Sequence, residues 1–212
     1  MTRKKIFKIV FGFISILIVL TIALILIGNI GIKELPISKT KADNHLRIVS
    51  MNVSADNILS LSFQDNLIDT KPDIIVVIEW TGKNLDLIKF QQAGYLPILD
   101  KPRKKVHGIC ILSKIGGVST IIEAPIETPC TLPLGQFRFN WHNKNITLFA
   151  IHAPPPVPAC KGTTSIYLKS IADWSIEGNL SSDLGVGKAG DHLILAGDFN
   201  SLPFDSGIEK LR

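Results

Sequence analysis

The stretch Asp73-Ile74-Ile75-Val76-Val77-Ile78-Glu79 decides the fold class of this chain. Its five central residues are all β-branched, and such a continuous apolar run is typical of a strand that is covered on both faces. A second run, His192-Leu193-Ile194-Leu195-Ala196-Gly197-Asp198, is also apolar and also ends in an acid. Segments with helical periodicity lie between the apolar runs, so the sequence predicts an α/β fold.

The remaining elements follow from periodicity and from turn residues. Further strands are predicted over residues 47–53, 95–99, 107–112, 118–122, 134–141 and 146–151, with a hairpin turn within His142-Asn143-Lys144-Asn145. A helix capped by Ser54 and ended by Lys71-Pro72 is predicted to carry an apolar face, formed by Ile58, Leu61, Phe63, Leu67 and Ile68. Two more helices are predicted, over Thr81–Ala93 with Gly94 as its stop and over Thr164–Glu177.

Composition limits the class of protein. The chain has 212 residues, of which 46% are hydrophobic and 19% are charged, and this excludes a disordered or collagen-like chain. The net charge of +5 comes from the N-terminal flank, because acids and bases balance within residues 34–212. A strongly basic nucleic-acid-binding face is therefore not indicated. The run Lys101-Pro102-Arg103-Lys104-Lys105 is either a local anion-binding patch or a solvated loop.

The N-terminal segment predicts a membrane anchor. Residues 9–32 contain no charged side chain and are long enough to cross a bilayer as a helix. We interpret them as one uncleaved transmembrane helix, with a cleaved signal peptide as the alternative. The basic residues within 1–8 then keep the N-terminus in the cytoplasm and place the domain outside it. Residues 33–45 are interpreted as a polar linker, and residues 46–212 as the domain.

Four predicted strands end in polar side chains. The residues concerned are Asn52, Glu79, His152, and the pair Asp198 and Asn200. Ligands of α/β sheets bind outside the carboxyl ends of the strands, so these side chains are candidates for one site. For each residue alone, the alternative is a turn residue, a helix cap or a hydrogen-bonded structural residue.

The chemistry of these side chains suggests a division of roles. Glu79 offers carboxylate oxygens, which suit Mg²⁺, with Mn²⁺ as an alternative. Asp198 is suited to orient or deprotonate water, and Asn52 and Asn200 are suited to bind phosphate oxygens without adding negative charge. His152 is suited to protonate a leaving oxygen.

Five blocks of the chain resemble successive blocks of the endonuclease/exonuclease/phosphatase superfamily. They are Arg47-Ile48-Val49-Ser50-Met51-Asn52-Val53, Lys71–Glu79, Gly108–Ser113, Phe149–Pro154 and Leu195-Ala196-Gly197-Asp198-Phe199-Asn200. The resemblance implies a DNase-I-like fold, which is a four-layer α/β/β/α sandwich of two mixed sheets. It also implies an enzyme that hydrolyses phosphodiesters or phosphomonoesters with a divalent metal.

The same resemblance implies roles for the matched residues. Glu79 resembles the metal-binding Glu, and Asn52 resembles the Asn near metal and phosphate. Asp198 and Asn200 resemble the pair that contacts the attacking water and the phosphate, and His152 resembles the general acid. The substrate that the resemblance implies is a nucleic acid, a phospholipid head group or a small phosphate ester, and no protein partner is inferable.

The family closes with a C-terminal block that contains an Asp-His pair, whereas this chain ends at Arg212. We therefore expect a domain that is incomplete at its C-terminus. Two functions follow from this expectation, either a fragment of an active enzyme or an inactive, membrane-anchored remnant that serves as a binding module.

The three cysteines separate into a core residue and a candidate pair. Cys110 lies in an apolar strand and is predicted to be buried and inert. If the hairpin turn centres on Asn143-Lys144, position 130 lies opposite about position 157, close to Cys160. A Cys130–Cys160 disulfide is therefore predicted, with two unpaired loop thiols as the alternative.

Overall fold

The computed structural model describes residues 17–19, 42, 44–103, 108–122, 130, 132–155, 157–160, 162–176 and 192–201. The chain divides into two compact units, residues 1–37 and residues 38–212. In the first unit, the described residues Leu17, Ile18 and Val19 are helical. The predicted anchor over 9–32 otherwise lies outside the described residues. No helix within the described part of the chain has both the length and the apolar character that crossing a bilayer requires.

The first sheet has four strands in the order β1-β2-β4-β3. Its strands are β1 (Ile48–Asn52), β2 (Ile74–Ile78), β3 (Leu96–Lys101) and β4 (Ile109–Ser113). Strand β1 runs parallel to β2, and β4 runs antiparallel to both of its neighbours. Every residue of β2 is fully buried, as its continuous β-branched sequence predicts for a central strand covered on both faces.

The second sheet also has four strands, in the order β5-β6-β7-β8. Its strands are β5 (Val118–Ile122), β6 (Leu134–Trp141), β7 (Lys144–His152) and β8 (His192–Asp198). Strand β7 pairs antiparallel with β6 and parallel with β8. Both sheets are therefore mixed, and the predicted α/β class with two mixed sheets is confirmed.

Among the described residues of the second unit, three α-helices flank the two sheets. They are α1 (Leu61–Asp69), α2 (Leu87–Gln92) and α3 (Thr163–Ile176). Alternate residues of β2 face opposite ways, because Ile74, Val76 and Ile78 belong to the core between the sheets, which also contains Phe137 and Leu148. The outer face of the first sheet packs against α1 and α2 through Leu67 and Phe90, and that of the second packs against α3 through Tyr167. The order of layers is therefore α/β/β/α.

The predicted start of the first helix is wrong, and of its predicted apolar face only Leu67 and Ile68 pack against the sheet. Ser60, and not Ser54, caps α1, since its side-chain oxygen accepts a hydrogen bond from the backbone nitrogen of Phe63. Ile58, Leu61 and Phe63 are exposed, so they do not form the buried face. Gln64 is buried there instead, because its amide group bonds the Leu59 carbonyl and the Asp86 backbone nitrogen.

The second predicted helix, Thr81–Ala93, is shorter than expected. Helix α2 spans Leu87–Gln92, and the carboxylate of Asp86 caps it by accepting from the backbone nitrogens of Ile88 and Lys89. Asn84 holds the preceding segment in a turn, since its carbonyl oxygen accepts from both the backbone nitrogen and the hydroxyl of Thr81. Gly94 follows the helix with φ +87°, as its predicted role as a stop requires.

The hairpin turn lies one residue earlier than the assumed centre. Trp141 pairs with Lys144, so His142 and Asn143 form a two-residue turn, and both have positive φ. The predicted pairing of β6 with β7, which placed position 130 opposite about position 157, was therefore wrong by two positions. The structure nevertheless joins Cys130 and Cys160 in a disulfide with Cα atoms 5.8 Å apart, and Cys110 is a buried free thiol.

Candidate active site

Strand direction gathers the predicted polar residues at one edge of the sandwich. Strands β1 and β2 are parallel, β7 and β8 are parallel, and β1 packs over β8. In β1, β7 and β8 the side-chain alternation places Asn52, His152 and Asp198 on the inner face, in line with residues of the central core. The carboxyl ends of these strands therefore direct three polar groups into the end of the gap between the sheets.

Asn52 connects the two carboxylates of the site. Its amide nitrogen donates to Oε1 of Glu79 at 2.8 Å and to Oδ2 of Asp198 at 2.9 Å. Its carbonyl oxygen accepts from the backbone nitrogen of Ser54 at 2.9 Å. Both amide protons are thus used, so Asn52 offers only its oxygen to a cation or to a donor on a ligand.

Glu79 reaches this group through an unusual backbone conformation. It follows β2, where simple alternation would place it on the outer face with Val77, but its φ is +63°. Its carboxylate then contacts Asn52 through Oε1 and accepts from the backbone nitrogen of Ala55 through Oε2 at 3.1 Å. A non-glycine residue held in this region of φ costs about 1–3 kcal/mol and is frequent at functional sites.

His152 lies beside Glu79 at the end of β7. Only 4% of His152 is exposed, and its Nε2 lies 3.8 Å from Oε1 of Glu79. It stands directly opposite Asp198 in the β7–β8 pairing. The buried imidazole therefore lies beside the carboxylate of Glu79, on the strand neighbouring the one that ends in Asp198.

Asp198 and Asn200 form a tight turn after β8. Oδ1 of Asp198 accepts from the backbone nitrogen of Asn200 at 2.9 Å, and Asn200 has φ +45°. The amide nitrogen of Asn200 donates to the carbonyl of Ala153 at 2.7 Å. One amide proton of Asn200 is used in this way, and the second has no acceptor among the described residues, so it can bind a ligand.

The donor set fits a hard divalent cation. Glu79 and Asp198 supply carboxylate oxygens and Asn52 supplies an amide oxygen. In the described part of the chain, no lysine or arginine forms an ion pair with either carboxylate. Two carboxylates that face one amide without a nearby cation are suited to oxygen-binding ions such as Mg²⁺. Among the same described residues, no three His, Cys, Asp or Glu side chains form a metal cluster.

All five predicted site residues are thus brought together, because hydrogen bonds link Asn52 to Glu79 and Asp198, and His152 and Asn200 adjoin them. The sequence did not indicate the backbone nitrogen of Ala55 or the carbonyl of Ala153, which hold Glu79 and Asn200. Backbone groups carry no residue-type signal, so only the positions of the loops reveal them.

Comparison with solved structures identifies the fold. The chain is similar to a humanized TDP2 of D. rerio, with 18% identity and a TM-score of 0.60 over 78% of this chain and 66% of that one. It is similar to the human Nocturnin catalytic domain, with 14% identity and a TM-score of 0.52 over 80% of this chain and 70% of that one.

A third match is an endonuclease/exonuclease/phosphatase family protein of Leptotrichia buccalis. It shows 13% identity and a TM-score of 0.51 over 79% of this chain and 73% of that one. The chain has the DNase-I-like fold of the endonuclease/exonuclease/phosphatase proteins. It spans slightly less than two thirds of the TDP2 structure. By sequence, no family model and no curated protein matches it.

Proposed function

We propose that this protein is a membrane-tethered, divalent-metal-dependent phosphoesterase that hydrolyses a phosphodiester or a phosphomonoester. The observation that carries the proposal is the hydrogen-bonded chain Glu79–Asn52–Asp198, with the buried His152 beside it. The fold, in which these residues occupy the ends of four strands, supports the same assignment.

Glu79 and the amide oxygen of Asn52 are the residues that we propose as ligands of Mg²⁺ or Mn²⁺, with Asp198 close by. When bound, such an ion offsets the negative charge that develops on phosphoryl oxygens. The hydrogen bond from the Ala55 backbone to Glu79 keeps the carboxylate aimed at this position. The short loop after β1 therefore has a positioning role.

The other side chains handle water, phosphate and protons. Asp198 accepts a proton from the attacking water or orients that water, since its carboxylate is held by Asn52 and by the turn to Asn200. The second amide proton of Asn200 donates to a phosphate oxygen. His152 donates a proton to the leaving oxygen, and its Nε2 lies 3.8 Å from Oε1 of Glu79.

The test is hydrolysis of a panel of phosphate esters by the full chain with Mg²⁺. Asp198→Ala should lower kcat/KM by at least about 100-fold, the lower end of the range for acid–base catalysis. Asp69→Ala, which removes an exposed acid at the end of α1, should leave kcat/KM unchanged. Chelation with EDTA should abolish turnover, and Mg²⁺ should restore it. Turnover that survives EDTA or Asp198→Ala would refute the proposal.

Membrane tethering is proposed through residues 9–32, with residues 1–8 in the cytoplasm and the domain on the other side. The Cys130–Cys160 disulfide supports this orientation, because disulfides persist in oxidising compartments. The substrate is proposed to be a nucleic acid, a phospholipid head group or a small phosphate ester. The chemistry at Glu79 and Asp198 is the same for all three.

A further inference from the structure

A cavity lies at the same edge of the sandwich as the candidate active site. Its volume is about 330 Å³, at the small end of the range for ligand sites. Two cations and four apolar residues line it, and these are Lys101, Arg103, Pro102, Ile109, Ile121 and Pro133. By sequence, the basic run that starts at Lys101 is either an anion-binding patch or a solvated loop. In the structure, its first three residues line a cavity.

Strand register places the cavity level with the site. Ile109 pairs with Ile78, the residue before Glu79, so both lie at the same end of the first sheet. In the second sheet, Gly135 pairs with Ala150, and Pro133 therefore lies level with the end of β7 that carries His152. The cavity and the site therefore lie at the same end of the two sheets but next to different strands.

The lateral separation follows from strand order. The site lies at β2 and β7, whereas the cavity is bordered by β4 and β3 of the first sheet and by β5 of the second. Neighbouring strands are about 4.8 Å apart, so one or two strand spacings put the cavity roughly 5–10 Å from Glu79 and His152. One small molecule can occupy both places at once.

The cations of the cavity are free to bind a ligand. Lys101 and Arg103 are exposed, and neither forms an ion pair with any residue that the structure describes. Asp100, the acid next to Lys101, accepts a hydrogen bond from Nε1 of Trp80 at 2.7 Å. Asp100 and Lys101 face opposite sides of the sheet. Asp100 pairs with Cys110 of the outer face, whereas Lys101 pairs with Ile109 of the inner face.

The backbone ties this cavity to the active-site strand. Trp80, which follows Glu79, donates its backbone nitrogen to the Gly108 carbonyl at 3.0 Å, and its carbonyl accepts from the Arg103 nitrogen at 3.1 Å. Arg103 and Gly108 are thus both hydrogen-bonded through the backbone to the residue after Glu79. The position of Arg103 relative to the site is therefore set by the main chain.

We infer that this cavity is a substrate subsite for a second phosphate group, carried by the same molecule whose phosphate ester is cleaved at the site. Lys101 and Arg103 bind the second phosphate, and Ile109, Ile121 and the prolines pack against the apolar group that links the two phosphates. The inference rests on the proposed function. It narrows the substrate to esters that carry a further phosphate.

The first test compares two substrates of the full chain in detergent with Mg²⁺. They are thymidine 5′-(p-nitrophenyl phosphate) and the same compound with a 3′-phosphate. The wild type should prefer the 3′-phosphorylated compound, and Lys101→Gln with Arg103→Gln should reduce the ratio of the two kcat/KM values by about tenfold, which corresponds to about 1.4 kcal/mol. Lys144→Gln removes a cation at the opposite end of the second sheet and should leave the ratio unchanged.

The second test measures binding and does not depend on turnover. Thymidine 3′,5′-bisphosphate should bind the full chain in EDTA more tightly than thymidine 5′-phosphate, and the double glutamine variant should remove the difference. If the full chain cleaves no ester of the phosphate-ester panel, the proposed function fails while this comparison still decides the subsite. Equal affinities for the two nucleotides, or a preference that survives the double substitution, would overturn the inference.

A further comparison identifies the source of the second phosphate. The third substrate is a short single-stranded oligothymidylate. If its cleavage depends on Lys101 and Arg103 as strongly as cleavage of the 3′-phosphorylated compound does, the second phosphate comes from a nucleic acid strand. If only cleavage of the small 3′-phosphorylated compound depends on Lys101 and Arg103, the substrate is a small ester that carries two phosphates. Either result supports a second-phosphate subsite.

Discussion

At the scale of single residues, Asn52 has the most exacting position in the site. Its amide nitrogen is shared by two carboxylates that would otherwise repel each other, and its oxygen accepts from Ser54. A neutral donor that holds two acids close together leaves the charge of the site negative. Asn52 therefore stabilises the site in the absence of a cation. By holding the two carboxylates in place, it also determines the position at which a cation binds.

Changing Asn52 to Asp should separate these two effects. Asn52→Asp replaces two hydrogen bonds by repulsion among three carboxylates, and should lower the free energy of unfolding in EDTA by about 1–2 kcal/mol. Added Mg²⁺ should recover the loss, because it binds more carboxylate oxygens in the variant. Thermal unfolding with EDTA and with Mg²⁺ measures both effects.

Asn57→Asp is the matched control for this change. It adds the same charge to the loop that follows β1, at an exposed position whose side chain has no hydrogen bond in the described structure. Its melting temperature should match that of the wild type in EDTA. A melting temperature of Asn52→Asp equal to that of the wild type in EDTA would contradict the bridging role.

The three cysteines should differ sharply in reactivity. Burial, and secondarily the negative charge of Asp100, raise the pKa of the Cys110 thiol well above its usual range, so it carries almost no thiolate at pH 8. Iodoacetamide should therefore label no cysteine in the folded protein. In urea without reductant it should label one per chain, and after reduction three, as mass spectrometry would show. Three labels without reductant would contradict the disulfide.

At the scale of elements, sequence patterns located strands better than helices. The bounds of β5, β6 and β8 match the predicted ones, because each strand is delimited by turn residues and has a clear apolar pattern. The start of α1 and the N-terminal part of its apolar face were predicted wrongly, since Ser54 and Ser60 are equally good caps by sequence. The burial of Gln64 depends on hydrogen bonds to Leu59 and Asp86, which come from neighbouring segments that periodicity does not include.

The end of β8 depends on a glycine. Gly197 has φ +145°, and a Cβ there would lie 1.9 Å from the backbone oxygen of Ile151 in β7. Gly197→Ala should therefore push β8 away from β7 and lower the free energy of unfolding by about 2 kcal/mol or more. Urea unfolding followed by circular dichroism measures the change.

Gly116→Ala is the matched control for β8. Apart from its chain neighbours, no atom of the described residues lies within 4 Å of the Cβ that this substitution would add. Its urea midpoint should stay within error of the wild type. A Gly197→Ala midpoint that also equals the wild type would show that β7 and β8 do not approach each other this closely.

At the scale of the whole molecule, the five site residues come from segments up to 148 positions apart, and the sequence could predict their meeting only because each one lies at or just after the carboxyl end of a strand. Shared strand polarity then brings them to one edge. The cavity next to Lys101 could not be predicted in the same way. It is formed by β3, β4 and β5, whose lateral order is not encoded in local periodicity.

Tethering of the whole molecule should depend on the apolar character of residues 9–32. Leu20→Arg together with Leu24→Arg would put two charges in the centre of the proposed span, at a cost of about 2.5–3.5 kcal/mol each on insertion scales. The wild type should stay in the membrane pellet after extraction with alkaline carbonate, and the double arginine variant should move to the supernatant. Leu20→Ala with Leu24→Ala keeps the segment apolar and should remain in the pellet. Release of the wild type by carbonate would contradict the tether without affecting the phosphoesterase assignment, because the site residues all lie within the second unit.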